Sequence, residues 1–193
     1  MERLPEPDDR TLIKRFLAGD RDALDELLRR YRGEAVRIAL SVLHNEDDAF
    51  DAAQEAFIKV FRNIHKFGGR SRFSTWLYRI VYNAALDMAR KKRRYVNRTE
   101  GKGEDQRAGN PADRGEYAPP DDRLARSEKE ELVRRCLDEL PFKYRVVITL
   151  KDIEGLSYDE IAEMLSTSRG NVMSRLYYGR SRLRKMIEAR MRR

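Results

Sequence analysis

Between Tyr95 and Arg126 the chain holds Gly101, Gly103, Gly109 and Gly115, Pro111, Pro119 and Pro120, and almost no large apolar side chain. Such a stretch buries too little surface to offset the entropy of ordering it. It reads as a linker over 96–126, flexible at its glycines and stiffer at Pro119-Pro120. What remains must fold as two small domains, at 1–95 and 127–193, each with its own core. Neither half shows strand alternation, and both repeat apolar residues every three and four positions. The expected class is therefore all-α, two helical domains on a flexible tether.

Apolar residues make up 40% of the chain, charged residues 38%, and the formal net charge is +8. The cores must be small, and the basic balance suggests a polyanion as partner, most commonly nucleic acid. Many solvated surfaces are basic too, so charge alone decides nothing. The lone cysteine, Cys136, forms no internal disulfide, which fits a reducing cytoplasm. Leu132, Cys136 and Leu140 recur every four residues, so Cys136 reads as a small core residue. With one cysteine and only His44 and His65, the chain offers no zinc-ligand cluster, and no metal or cofactor is expected. No apolar run approaches the roughly 20 residues of a membrane span. MERLPEPDDRTL lacks the apolar region of a signal peptide, so a cytoplasmic protein without membrane insertion is expected.

The densest pattern is Gly155–Arg184, GLSYDEIAEMLSTSRGNVMSRLYYGRSRLR. Ser157 and Glu160 make a capping box, and Ile161, Ala162 and Leu165 follow on one apolar face. Ser166-Thr167-Ser168 supplies a turn, with Ser168 placed to cap a second helix. That helix buries Val172, Leu176 and Leu183 and turns Asn171, Met173, Ser174, Tyr177, Tyr178 and Arg180 outward. Caps, turn and register together predict a helix-turn-helix whose second helix enters the major groove of DNA. The plainer reading is a basic helical hairpin. From Leu140 onward there are twelve Lys/Arg against six Asp/Glu, a surplus suited to phosphate contacts. Ahead of this unit, Ser127 and Glu130 form a second capping box before Leu132, Val133, Leu137 and Leu140. Pro141 then opens a helix through Tyr144, Val147, Ile148 and Leu150, and Gly155 is placed to end it in a left-handed cap.

In the first domain, helices are expected through Leu12–Leu17, Ala23–Tyr31 and Val36–Leu43, broken at Gly19-Asp20 and His44-Asn45. The next segment, EDDAFDAAQEAFIKVFRNIHKF, carries an apolar face of Phe50, Ala53, Phe57, Val60 or Phe61, and Ile64. Beside it Asp48, Asp51, Gln54 and Glu55 form an acidic and amide face. Acids near a positive helix N-terminus explain part of it; Gln54 and Glu55 lie two turns in, which leaves a partner site equally open. After the permissive Gly68-Gly69, Ser71 or Ser74 is placed to cap a helix burying Phe73, Trp76 or Leu77, Ile80, Ala84 and Met88. Trp76 itself reads as core. Tyr78, Arg79, Tyr82, Asn83 and Arg90 lie off that stripe, and Arg90–Arg94 is wholly basic. Aromatics interleaved with Arg and Asn suit unstacked bases, and a loop beside them could hold a flipped base.

Taken together these segments resemble bacterial sigma factors of the extracytoplasmic-function (ECF) group. The resemblance rests on Asp48-Ala-Phe-Asp51-Ala-Ala-Gln54-Glu55-Ala-Phe57, on Phe73-Ser-Thr-Trp76-Leu-Tyr-Arg79-Ile with Asn83, and on Leu140-Pro141, Tyr144-Arg145, Gly155–Ala162 and Ser174-Arg175-Leu176. It implies a transcription initiation factor without enzymatic activity, which binds RNA polymerase core and directs it to promoters. Asp48, Asp51, Gln54, Glu55 and Phe61 would dock on the clamp helices of the largest subunit, and the second domain on the flap of the second-largest. Phe67, Gly68, Gly69, Arg70, Arg72, Arg79, Asn83 and Arg90 would take the non-template strand of the −10 element. Ser168, Asn171, Met173, Ser174, Arg175, Tyr177, Tyr178 and Arg180 would face the −35 element. An anti-sigma factor is implied as a further partner. The recognition helix departs from the family, with Met173 where many relatives carry a basic residue, and Met cannot make the bidentate contact of Arg to guanine.

Two other classes compete. A helix-turn-helix regulator acting without polymerase leaves the Gln54-Glu55 face and the aromatic-basic helix without a purpose. A nucleic-acid enzyme such as a recombinase needs a nucleophile or metal carboxylates near the DNA. The close acidic pair, Asp48 and Asp51, sits on the presumed protein-binding face instead.

Overall fold

The computed structural model describes residues 7–100 and 128–192. The described residues are helical and contain no strand. The first domain comprises α1 (Asp9–Leu17), α2 (Arg21–Arg30), α3 (Arg32–Leu43), α4 (Glu46–Asn63) and α5 (Phe73–Glu100). Local chemistry sets their starts: Asp8, Asp20 and Asn45 each accept a backbone N–H from the first turn of α1, α2 and α4. Gly19 at φ +105° and His44 at φ +59° supply the left-handed residues that end α1 and α3. Helix α5 begins at Phe73, which puts Arg72, not Ser71 or Ser74, at its N-cap position, and it runs five residues past the expected domain boundary at 95.

Alanine builds this core. Ala35, Ala39, Ala49, Ala52, Ala56, Ala84 and Ala85 are fully buried where α3, α4 and α5 meet, so backbones approach closely and Leu27, Ile38, Val60, Leu77 and Val81 fill between. The expected apolar face of α4 forms, with the open choice resolved: Val60 points in, Phe61 points out, and Phe50 and Phe57 are half-buried.

The second domain comprises α6 (Glu128–Asp138), α7 (Phe142–Ile148), α8 (Tyr158–Met164) and α9 (Arg169–Met191). The second capping box begins at Ser127, outside the described residues. Helix α7 widens into a π turn, Thr149–Ile153, and ends at Gly155 with φ +72°. Cys136 is fully buried and accepts from Arg190 Nη1 at 3.0 Å. Gly179 lets α9 press on α7: a Cβ there would lie 3.1 Å from both Ile148 Cδ1 and Tyr144 Cβ.

The two domains pack together, through a cation. Arg145 is 1% exposed. Within its own domain it donates to the carbonyls of Asp138 (2.9 Å) and Leu140 (3.1 Å). Across the interface it donates to the Ser41 carbonyl at 2.8 Å and meets the His44 ring, at the C-terminal end of α3. Those oxygens are the orphan acceptors of a helix end, and a guanidinium satisfies several at once. Burial pushes Arg145 down to about 10, so it stays charged at neutral pH. Burial, then the Arg145 charge, push His44 down to about 4, so its ring is neutral. Arg37–Glu154 (2.9 Å), Thr75–Glu160 (2.7 Å), Arg134–Glu46 (3.7 Å) and Arg79–Glu163 complete the seam.

Candidate nucleic-acid interface

The helix-turn-helix forms as its residues require. Ser157 accepts from the Glu160 N–H at 3.2 Å while the Glu160 carboxylate accepts from the Ser157 N–H at 2.8 Å, closing the capping box of α8. Ser166 takes φ +49°, and Thr167 N–H donates to the Ala162 carbonyl at 2.9 Å to finish the turn. Ser168 caps α9 by accepting from Asn171 N–H at 3.2 Å. Val172, Leu176 and Gly179 are buried against α7 and α8. Met173 (50% exposed), Ser174, Tyr177 (71%) and Tyr178 (60%) face outward as expected. The two tyrosine rings meet edge to face at 5.4 Å. Asn171 donates its amide to Thr167 Oγ1 at 2.7 Å, Arg180 forks onto Asp152 at 2.9 and 2.5 Å, and Arg175 is half-buried beside Tyr82.

On the first domain, α4 and α5 enclose a groove of about 350 Å³, lined by Lys59, Asn63, Lys66, Trp76, Ile80 and Asn83. Trp76, read as core, packs partly buried against the core and also forms a wall of this groove. Its ring sits 5.3 Å from Phe67, which also meets Phe73 edge to face at 5.8 Å. These contacts hold the base of the loop carrying Gly68, Gly69, Arg70 and Arg72, all exposed. Lys59, Asn63 and Lys66 went unnoticed in the sequence, although their spacing of four and three is itself a helical stripe. Cations, an amide and an indole around one groove can hold a base by stacking and its backbone by charge.

The structure parts Arg79 from Asn83. Asn83 opens into the groove, while Arg79 pairs with Glu163 of α8 and Thr75 donates to Glu160. Tyr78 and Tyr82, read from spacing as lying off the buried stripe, are buried at 5% and 8% exposure. Tyr78 packs on Tyr31 near the Arg37–Glu154 pair, and Tyr82 lies by Arg175 of α9. Tyr31, at the C-cap of α2, covers Tyr78, and α8 is bonded to Thr75 and Arg79 of the same helix. Arg90 is exposed, 3.7 Å from Asp87.

The acidic face is narrower than its sequence suggests. Lys92 takes Asp48 at 2.6 Å and Lys59 takes Glu55 at 3.0 Å, leaving Asp51 and Gln54 outward. These two line a second groove of about 480 Å³ between α2, α3 and α4, with Asp25, Arg29, Phe50 and Phe57. Phe61 stands exposed beyond it, edge to face with Phe16 at 5.8 Å.

Residues 27–95 match the family model "Sigma-70 region 2", and residues 130–183 match "Sigma-70, region 4". The chain is 32% identical to the RNA polymerase sigma-H factor of Pseudomonas aeruginosa, over 98% of each chain. It is 36% identical to the ECF RNA polymerase sigma factor SigW of Bacillus subtilis, over 91% of this chain and 94% of that one. Among solved structures, the fold is similar to the sigma factor RpoE bound to the anti-sigma factor NepR from Bartonella quintana. That match has a TM-score of 0.65 at 24% identity, covering 85% of this chain and 96% of that one. CnrH bound to the cytosolic domain of CnrY matches with a TM-score of 0.61 at 23% identity, covering 94% and 97%.

Proposed function

The chain belongs to the extracytoplasmic-function group of the sigma-70 family, and from that premise we propose how its surfaces share the work of starting transcription. As a member of that family it is an initiation factor that binds RNA polymerase core and directs it to promoters. One observation carries the division of labour: a single chain presents both a duplex-reading helix, α9, and a separate basic groove suited to an unstacked base.

In this reading α9 lies in the major groove of the −35 element, and Ser168, Asn171, Met173, Ser174, Arg175, Tyr177, Tyr178 and Arg180 contact it. The Trp76 groove takes one base of the −10 non-template strand. Asn83 meets the base edge, Lys59 and Lys66 meet phosphates, and Phe67 to Arg72, Arg79 and Arg90 follow the strand. Flipping a base costs a few kcal/mol, and stacking on an aromatic returns roughly 1–3. Capture is therefore near balance and depends on which bases are present. Asp48, Asp51, Gln54, Glu55 and Phe61 bind the clamp helices of the largest subunit, and the second domain binds the flap.

The packed arrangement is the form without polymerase. Because α8 holds Thr75 and Arg79 of the −10 face, the domains must part before the strand can follow α5. An anti-sigma factor, the kind of partner named for the Bartonella quintana neighbour, would act by opposing that parting. The protein works in the cytoplasm, where polymerase and DNA are, and carries out no chemistry of its own.

Run-off transcription with purified core on host genomic fragments tests this. Discrete new transcripts that need the protein are expected. A protein that binds DNA but never core would overturn the reading in favour of a polymerase-independent regulator.

A further inference from the structure

Base edges in the major groove are distinguished by what they offer: acceptor pairs on guanine, a donor and acceptor on adenine, a donor on cytosine, and an apolar methyl on thymine. A guanine reader needs a free guanidinium. In the first three turns of α9 two of the three are paired within the domain. Arg169 faces Asp159 at 3.6 Å, with Tyr158 beneath it at 5.9 Å. Arg175 is half-buried, and Arg180 forks onto Asp152. The Asn171 amide, the group that reads adenine, donates to Thr167. No carboxylate stands on this stretch to accept from cytosine. Also pointing outward are a thioether, two phenol rings and a small hydroxyl: Met173, Tyr177, Tyr178 and Ser174.

We propose that Met173 and Tyr177 determine −35 specificity by packing against thymine C5-methyl groups, so that A·T pairs of the element are read through their methyls. The two side chains are four residues apart, about 6 Å along the helix, or about two base-pair steps at 3.4 Å each. The thymines read are therefore about two base pairs apart. Tyr178, turned edge to face against Tyr177, holds that ring in place, and Ser174 between them is small enough to let both reach the groove floor. The inference rests on the promoter-factor reading above.

The test uses the full chain assembled with polymerase core. A −35 element is first selected from duplexes randomised upstream of a fixed start site. Each thymine of that element is then replaced by deoxyuridine, which removes the methyl and nothing else. A buried methyl converts to about fourfold in affinity, so about fourfold weaker binding is expected at two positions roughly two base pairs apart. Met173→Ala should abolish the effect at one and Tyr177→Ala at the other. Both side chains are exposed, so fold and core binding should be unchanged. Met173→Arg should select guanine at its position. A selected element indifferent to deoxyuridine throughout would overturn the proposal and leave the promoter reading standing. Core binding with no upstream selection would overturn it too, and mark the tyrosine pair as a protein-docking surface. Failure to bind core at all would overturn both.

Discussion

Glu154 gives up nearly all its solvent where the domains meet. Its side chain is 3% exposed, and Arg37 reaches across the seam to it at 2.9 and 3.4 Å. Burial is the largest influence on its carboxyl and pushes its pKa up, while Arg37 pulls the other way. When the domains part, water solvates Glu154 again. The closed form thus carries a desolvation cost that the open form escapes, and Arg37 is what offsets it. A hydrogen bond to a charged group contributes about 1.5–3 kcal/mol. Arg37 is half exposed, which lowers that to about 1–2 kcal/mol. Arg37→Gln should therefore shift the closed–open balance about 5- to 30-fold toward open. Glu154→Gln should not, because it removes the buried charge along with its partner's bond. Dyes on cysteines introduced at the exposed Asp22 and Ser181 report the interdomain distance by energy transfer, since Cys136 is buried. Lower transfer in Arg37→Gln than in Glu154→Gln is expected, with recovery in the exchanged pair Arg37→Glu/Glu154→Arg. Equal opening by both single variants would refute the desolvation reasoning.

Five further outcomes are expected. His44 has a folded pKa of about 4 against 6.5 unfolded, through burial and then Arg145. The folded state thus binds fewer protons, and stability present above pH 6.5 is lost as pH falls toward 4, by about 2 kcal/mol at pH 5. Urea unfolding at pH 7.5 and 5 should show this loss in the native chain and not in His44→Gln. Gly179→Ala should destabilise the second domain by about 1–3 kcal/mol, since Tyr144 Cβ cannot yield. Ser166→Gly should stabilise it by up to about 1 kcal/mol by relieving a left-handed serine; thermal melts measure both. Asn83→Ala should reduce permanganate reactivity of the melted −10 region with core binding intact, and Lys66→Ala should lower the salt slope of promoter binding by about 1.

Much of this protein was written locally. The Ser157–Glu160 box, the Ser168 cap, the left-handed Gly155 and the outward Met173 and Tyr177 follow from hydrogen bonds and periodicity within a few residues. So does the burial of Cys136, one turn from its apolar neighbours. Such features need no knowledge of what lies opposite, so sequence alone determined the helices, the helix-turn-helix and its exposed face. Choices between adjacent residues were different in kind. Val60 against Phe61, Trp76 against Leu77, and the fate of Tyr78 and Tyr82 depend on which flanks of α4 and α5 are covered, and a second domain covers one of them. The groove of Lys59, Asn63 and Lys66 with Trp76 and Asn83 needs two helices to exist. Arg145 is the plainest case. In the sequence the family resemblance marks it but no local pattern says what it does, and its partners are carbonyls from its own helix entry and from a helix end 104 residues away. A buried cation is tolerated only where several acceptors converge, and convergence is a property of packing that tertiary structure alone decided.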